Sequence, residues 1–339
     1  MRALSTVLFA VVLAGCGAKP TGSAVRIYVS LDQQFSAPLL DSFAKELGIT
    51  LDQQHDTEAA KTVGHVSAIV EERANPRGSV FWNNELANTV HLANQGLLEP
   101  YDSPSAQDVP AMWRDPQRRW TAFAARARIL VVNTELLPDP ASWPTSYRDL
   151  VDPKWKGRCA VAKPLTGTTM THFTAMRKLL GEPAFTAWID GMFANDVQFL
   201  ASNGATLRAV REGKLAFAFT DTDDYHEAAK KGFKVACVFP DQQDGGIGTM
   251  LIPNSVALIK GGPNQAAAKQ LIDRILARET EALLAAADGA QIPLRAGIPG
   301  PKDPGIKAPG AFRAMQWDID WTAANLAAMS RDYGKRFGL

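Results

Sequence analysis

Strand-like and helix-like segments alternate from Val25 onward, and this alternation constrains the fold more than any other feature of the sequence. Arg26-Ile-Tyr-Val-Ser30 is a short β-rich run. Pro38 then opens a predicted helix with Leu39, Leu40, Phe43 and Leu47 on one face and Gly48 as its stop. A second strand starts at Ile49 to Leu51, Val63, Val66, Ile69 and Val70 mark the next helix, and Ser79 to Trp82 is a third strand. Another helical stretch runs on to Gly96. The β-α-β-α-β order predicts a parallel sheet with helices packed on both faces.

A second set follows the loop Asp152 to Gly157. It comprises strands at Cys159 to Ala162, Leu215 to Phe219 and Phe233 to Phe239, with helices at Met170 to Leu180 and Tyr225 to Lys231. Two extended apolar runs, Arg128 to Asn133 and Thr249 to Ile259, flank this set and read as crossover strands. They would make two α/β lobes discontinuous in sequence: residues 25–127 with 251–300, and residues 128–250 with 301–339. A chain of 339 residues also exceeds what one hydrophobic core usually serves. Met315 to Phe337 has the apolar spacing of one or two surface helices.

The start of the chain reads as an export signal. Met1-Arg2 precedes a short apolar run that ends Leu13-Ala14-Gly15-Cys16. That run is shorter than the roughly twenty residues a membrane-spanning helix needs. Leu-Ala-Gly-Cys resembles the lipobox, so residues 1–15 are expected to be removed and Cys16 acylated. Residues 16–24 then form a small, polar tether. The expected location is the periplasmic side of a membrane, or the outer surface of a single-membrane cell. Without Arg2, the 36 basic residues become 35 and equal the 35 acidic ones. A neutral chain has no electrostatic footprint for nucleic acid. A monomer is expected. Cys159 and Cys237 sit in apolar, strand-like runs, and the sequence leaves open whether they form a disulfide or lie buried apart.

No enzyme is indicated. The sequence has no Gly-x-Ser-x-Gly, no phosphate-binding Walker loop and no His-Glu-x-x-His, and its five histidines are scattered. His65 and His91 read as surface or core residues. In open parallel sheets, ligands bind beyond the carboxyl ends of the strands. Asp32, Asn83-Asn84, His55-Asp56-Thr57-Glu58 and Thr220 to Asp224 all stand just past such ends. Thr166-Gly167-Thr168-Thr169 lies between a strand and a helix, where backbone N–H groups favour an anion. Asp221, Asp223, Asp224 and Glu227 crowd one corner. A helix cap needs only one of them, and three acids within four residues repel unless a cation compensates. The corner therefore suits a hard metal ion or an ammonium group. Trp82 and Tyr225 are candidate cleft aromatics, and His226 reads as a helix-surface residue.

The ordered set Arg26 to Asp32, Val80 to Glu85, Ala125 to Thr134, Trp155 to Arg158, Pro164 to Gly167, Asn203, Ala209 to Gly213 and Gln291-Ile-Pro293 resembles the periplasmic ferric-iron-binding proteins. These are extracellular solute-binding proteins of ABC importers. The resemblance implies a type II periplasmic-binding-protein fold, with two α/β lobes joined by hinge strands and closing on cargo, and an importer permease as partner. It also implies iron ligands (a histidine, a glutamate and two adjacent tyrosines) at positions held here by Asp32, Asn84, Asp223 and Asp224. None of the four is retained, so tyrosinate coordination of iron is not expected. Arg126, Thr166, Gly167 and Asn203 match the residues that hold a companion anion. The expected cargo is a ferric ion with an anion, held by carboxylates that include Asp223 and Asp224, with no resident cofactor. The alternatives are a small organic cation or zwitterion of polyamine, thiamine or phosphonate type. More distantly, the acidic corner could serve a metal-dependent, lipid-anchored hydrolase.

Overall fold

A computed structural model describes residues 24–56 and 63–338. The predicted signal, Cys16 and the Thr57-Glu58 pair lie outside those residues. β1 (Val25–Val29), α1 (Gln33–Leu47), β2 (Leu51–His55), α2 (Val63–Glu71) and β3 (Val80–Asn83) follow the predicted alternation. β1 runs parallel to both β2 and β3, with Ile27 opposite Gln53 on one side and Val80 on the other. α1 starts five residues before Pro38, which lies inside it. The Asp32 carbonyl accepts the Phe35 and Ser36 N–H groups, so the first turn forms without proline at its head. Gly48 closes the helix in the left-handed conformation (φ 64°), where a glycine pays no steric cost.

The chain continues through α3 (Ala87–Asn94), β4 (Leu98–Glu99), β5 (Thr121–Asn133), β6 (Cys159–Ala162), α4 (Gly167–Leu180) and α5 (Glu182–Ala194). β7 (Gln198–Leu200), α6 (Asn203–Arg211), β8 (Phe217–Asp221), α7 (Thr222–Lys230) and β9 (Val235–Val238) come next. β10 (Leu251–Ile259), α8 (Gln265–Ile275), α9 (Arg278–Ala286) and α10 (Ile319–Arg336) complete it.

β5 is the element that joins the two halves. Its thirteen residues are all buried, which a strand shared between two covered sheets requires. Thr121 to Ala127 pair antiparallel with β10, and Arg128 to Val132 pair with β8. One sheet therefore runs β2-β1-β3-β10-β5, and the other runs β5-β8-β6-β7 with β9 on the far side of β5. The partner changes at Arg128, which faces Asp221 at the end of β8.

The C-terminal stretch is a single helix, α10, with Thr322, Ala323, Leu326, Met329 and Tyr333 buried. It is a surface helix, as expected, laying that stripe against both α3 and α4 and leaving Asp320, Ala324, Arg331 and Lys335 exposed. Cys159 and Cys237 are free thiols. Cys237 pairs with Val131, Val131 with Ala218, and Ala218 with the neighbour of Cys159. Three strand spacings of about 4.8 Å separate the two cysteines, well beyond disulfide reach. Trp82 is a core residue, fully buried, with its Nε1 donating to Asn254 Oδ1 at 3.3 Å.

Candidate functional site

The edge where the two sheets meet gathers most of the predicted residues. On a strand, residues two apart share a face, so β5 presents Arg126 and Arg128 together. β8 ends at Asp221, and α7 begins at once, carrying Asp223 and Asp224 on its first turn. One carboxylate oxygen from each of Asp221, Asp223 and Asp224 lies within 4.8 Å of the others.

Arg128, which sequence reasoning used only as part of a crossover strand, is the centre of the deepest layer. Its side chain has 0% exposure, and Nη1 lies 2.7 Å from Asp221 Oδ1. The same guanidinium donates to Asn203 Oδ1 at 3.3 Å and to Thr169 Oγ1 at 3.3 Å. Asp221 Oδ2 accepts from Thr168 Oγ1 at 3.0 Å and Asn203 Nδ2 at 3.1 Å. Burial alone would push the Asp221 carboxyl up, but Arg128, Arg126 and these hydrogen bonds hold it below the usual carboxylate range. Asp221 is thus already paired. Asn203, expected as an anion holder, is locked into that pairing.

Arg126 forms the layer above. Nη2 donates to the Asn84 backbone carbonyl at 2.6 Å, and Nη1 lies 3.6 Å from Asp223 Oδ2. Its Nε is buried and donates to no group among the described residues. Burial opposes the charge on this guanidinium. The field of Asp223, Asp221, Asp32 and Asp224 outweighs it and raises the pKa. Asp32 thereby belongs to the site electrostatically, from the N-terminal end of α1. Asp224 is the opposite case. Half-buried, and beside Asp223 and Asp221, its carboxyl is pushed up to about 8 by desolvation and by those neighbours, with the Thr220 hydroxyl donating to it.

Thr166 and Gly167 stand at the N-terminus of α4, Thr166 exposed and Gly167 half-buried at φ 60°. The inward bonds of that turn come from Thr168 and Thr169. Asn83 lies deeper than expected: fully buried, its Nδ2 donates to Glu85 Oε1 and Thr89 Oγ1, each at 3.1 Å, at the foot of α3. Tyr225 and His226 face away from the acids. Tyr225 packs against Gly305, where an added Cβ would sit 2.2 Å from its hydroxyl. His226 Nδ1 lies 2.7 Å from Asp303 Oδ2. Both line a groove of about 520 Å³ on the other flank of α7, together with Lys230, Asp288 and Lys302. The residues that sequence reasoning missed, Arg128 above all, carried one usable signal: Arg-x-Arg within a strand puts two guanidiniums on one face.

The acids therefore do not face one another uncompensated, as the sequence alone suggested. Two guanidiniums neutralise Asp221 and Asp223, and the Asp224 carboxyl is pushed towards its protonated form. The arrangement offers carboxylate oxygens on α7 and a buried N–H on β5, a few ångströms apart, to whatever enters between them.

Comparison with known proteins agrees with this architecture. Residues 89–319 match the family model described as bacterial extracellular solute-binding protein. The chain is 24% identical to iron uptake protein A1 of Synechocystis sp., covering 97% of this chain and 94% of the relative. It is 25% identical to a Salmonella typhi periplasmic protein named for 2-aminoethylphosphonate binding, covering 85% and 83%. The crystal structure of iron-bound HitA from Pseudomonas aeruginosa superposes with a TM-score of 0.80 at 23% identity, over 92% of this chain and 99% of that one. Other relatives are named as ferric-iron-binding proteins. By its fold and by the family match, this chain belongs to the bacterial extracellular solute-binding proteins.

Proposed function

We propose that this protein is the cargo-binding component of an ABC importer, and that its cargo brings a positive centre and an anionic group together into the cleft at Arg126 and α7. The observation that carries the reading is the Arg126 guanidinium, which is buried, 3.6 Å from Asp223, and has an Nε–H with no acceptor among the described residues. A buried donor left unmet costs free energy that an incoming anion recovers. The Asp223 and Asp224 oxygens suit a hard cation. A ferric ion with a companion anion fits both halves, with Asp223 and Asp224 as carboxylate ligands and the anion between Arg126 and the Thr166-Gly167 end of α4. A zwitterion of aminophosphonate type is the second reading. It is favoured by the two arginines, which leave little uncompensated negative charge for a bare trivalent ion.

In this reading residues 25–127 with 251–300 and residues 128–250 with 301–339 act as the closing lobes. Cys16 anchors the chain to a membrane from the periplasmic side, as a monomer, and the importer permease receives the cargo. Hydrolysis is not favoured: His226 pairs with Asp303 on the other flank of α7, burial and Arg128 push the His172 imidazole down to about 3, and no nucleophile is paired with a base in the corner among the described residues. The test is native mass spectrometry with metal analysis of protein purified without chelators, followed by calorimetry. The titrants are ferric nitrilotriacetate with and without phosphate, and 2-aminoethylphosphonate. Binding of either confirms the class and selects the cargo. A protein that binds neither, and carries no metal, rejects it.

A further inference from the structure

Glu85 lies immediately after the Asn84 carbonyl that accepts Arg126, and it is 0% exposed. Its two carboxyl oxygens accept four hydrogen bonds. Oε1 takes the Asn88 N–H at 2.8 Å and Asn83 Nδ2 at 3.1 Å. Oε2 takes the Ala87 N–H at 2.9 Å and Thr171 Oγ1 at 3.0 Å. Three of these donors belong to the β3–α3 corner of the first sheet. The fourth comes from α4, which flanks the second. Thr171 is 1% exposed and two residues beyond Thr169, whose hydroxyl receives Arg128. One turn of α4 therefore grips the Arg128–Asp221 layer through Thr168 and Thr169, and grips the opposite half of the molecule through Thr171.

We propose that Glu85 and Thr171 are the closure contact of the cleft, a positioning pair that converts occupancy at Arg126 into the relative placement of the two halves. The proposal rests on the reading that the halves open and close on cargo. A cargo anion that draws Arg126 shifts its bond to the Asn84 carbonyl, and Glu85 is the next residue. When the halves part, Thr171 leaves Glu85 and water replaces it. The two amides of Ala87 and Asn88 then become reachable by solvent, because the carboxyl that covers them has lost its lid.

This makes closure measurable without knowing the cargo. Native-state hydrogen exchange on the cargo-free full-length chain reads the Ala87 and Asn88 amides directly. Thr171→Val removes the donor at nearly constant shape. It should speed exchange at these two amides about tenfold, the weight of one hydrogen bond to a charged group, and leave β1 amides unchanged. Thr171→Ser should return the rate to within about twofold of the parent. Should Thr171→Val fail to fold, Thr171→Ala is read in the same way. If the parent's amides exchange locally but Thr171→Val leaves them unaffected, the pair is not the closure contact, and the binding function stands. Amides that exchange only through global unfolding in the parent show that the halves do not open, and both readings fall.

Discussion

Arg128 Nη1 sits 2.7 Å from Asp221 Oδ1, and neither side chain is more than 3% exposed. The pair joins the last residue of β8 to the point on β5 where the strand changes sheets. It is therefore structural and electrostatic at once. Removing one partner leaves an uncompensated buried charge, which typically costs about 3–5 kcal/mol. Asp221→Asn and Arg128→Met should each lower denaturant stability by about that much. A loss below about 1 kcal/mol in urea melts would show that the pair is solvated and not a core element.

Asp223 and Asp224 should behave differently. Replacing both with Asn removes the Asp223 charge and the desolvated Asp224 carboxyl from α7 but nearly keeps their shapes. The double variant should lose cargo binding in calorimetry, while its cargo-free melt stays level or rises. Wild-type affinity in that variant would reduce these aspartates to helix caps. Arg126→Ala should weaken binding most when a companion anion is present.

The Asp224 carboxyl, pushed up to about 8 by burial and by Asp223 and Asp221, gives stability a defined pH slope. The folded chain keeps a proton that the unfolded chain sheds near pH 4, so this group's contribution declines as pH rises from about 4 to 8. Asp224→Asn should raise the melting temperature by about 2–4 °C at pH 8 and have little effect at pH 4. A uniform shift across that range would contradict it.

The same proton separates the two cargo readings. A metal ion must displace it, so ferric binding should weaken up to about tenfold per unit as pH falls below about 8, well above the ordinary carboxylate range. A cargo whose anionic oxygen accepts from neutral Asp224 shows the reverse, losing affinity above that pH. Calorimetry at pH 6, 7 and 8.5 decides between them by the sign of the slope.

The N-terminal motif makes its own prediction. Cys16→Ser should leave the detergent phase in Triton X-114 partitioning and keep cargo binding intact. Incorporation of labelled palmitate into the variant would place the acylation elsewhere.

The first sheet was legible because β1 and β3 are short apolar runs separated by amphipathic helices, while β2, Leu-Asp-Gln-Gln-His, showed only at its first residue. β5 and β10 were legible as long, largely apolar extended runs, although the sequence showed β5 only from Arg128 onward. The start of α1 was misplaced because Pro38 looks like a helix opener, while the bonds that begin the helix come from the Asp32 carbonyl, which no residue-type signal reveals. The acidic corner was visible as composition, but its charge state was not. That depends on Arg128 and Arg126, ninety-odd positions earlier, and on a strand pairing that only the fold supplies. α10 was legible as a surface helix from its apolar stripe, but its partners α3 and α4, distant in sequence, were not.

The two remaining thiols carry a practical consequence. Cys159 and Cys237 sit on separate strands with two others between them, and burial raises both thiol pKa values, Cys159 to about 12. Unreactive and out of reach of each other, they make the folded part of this chain indifferent to the redox state around it. Residues 24–338 should therefore fold as well in a reducing cytoplasm as outside the cell.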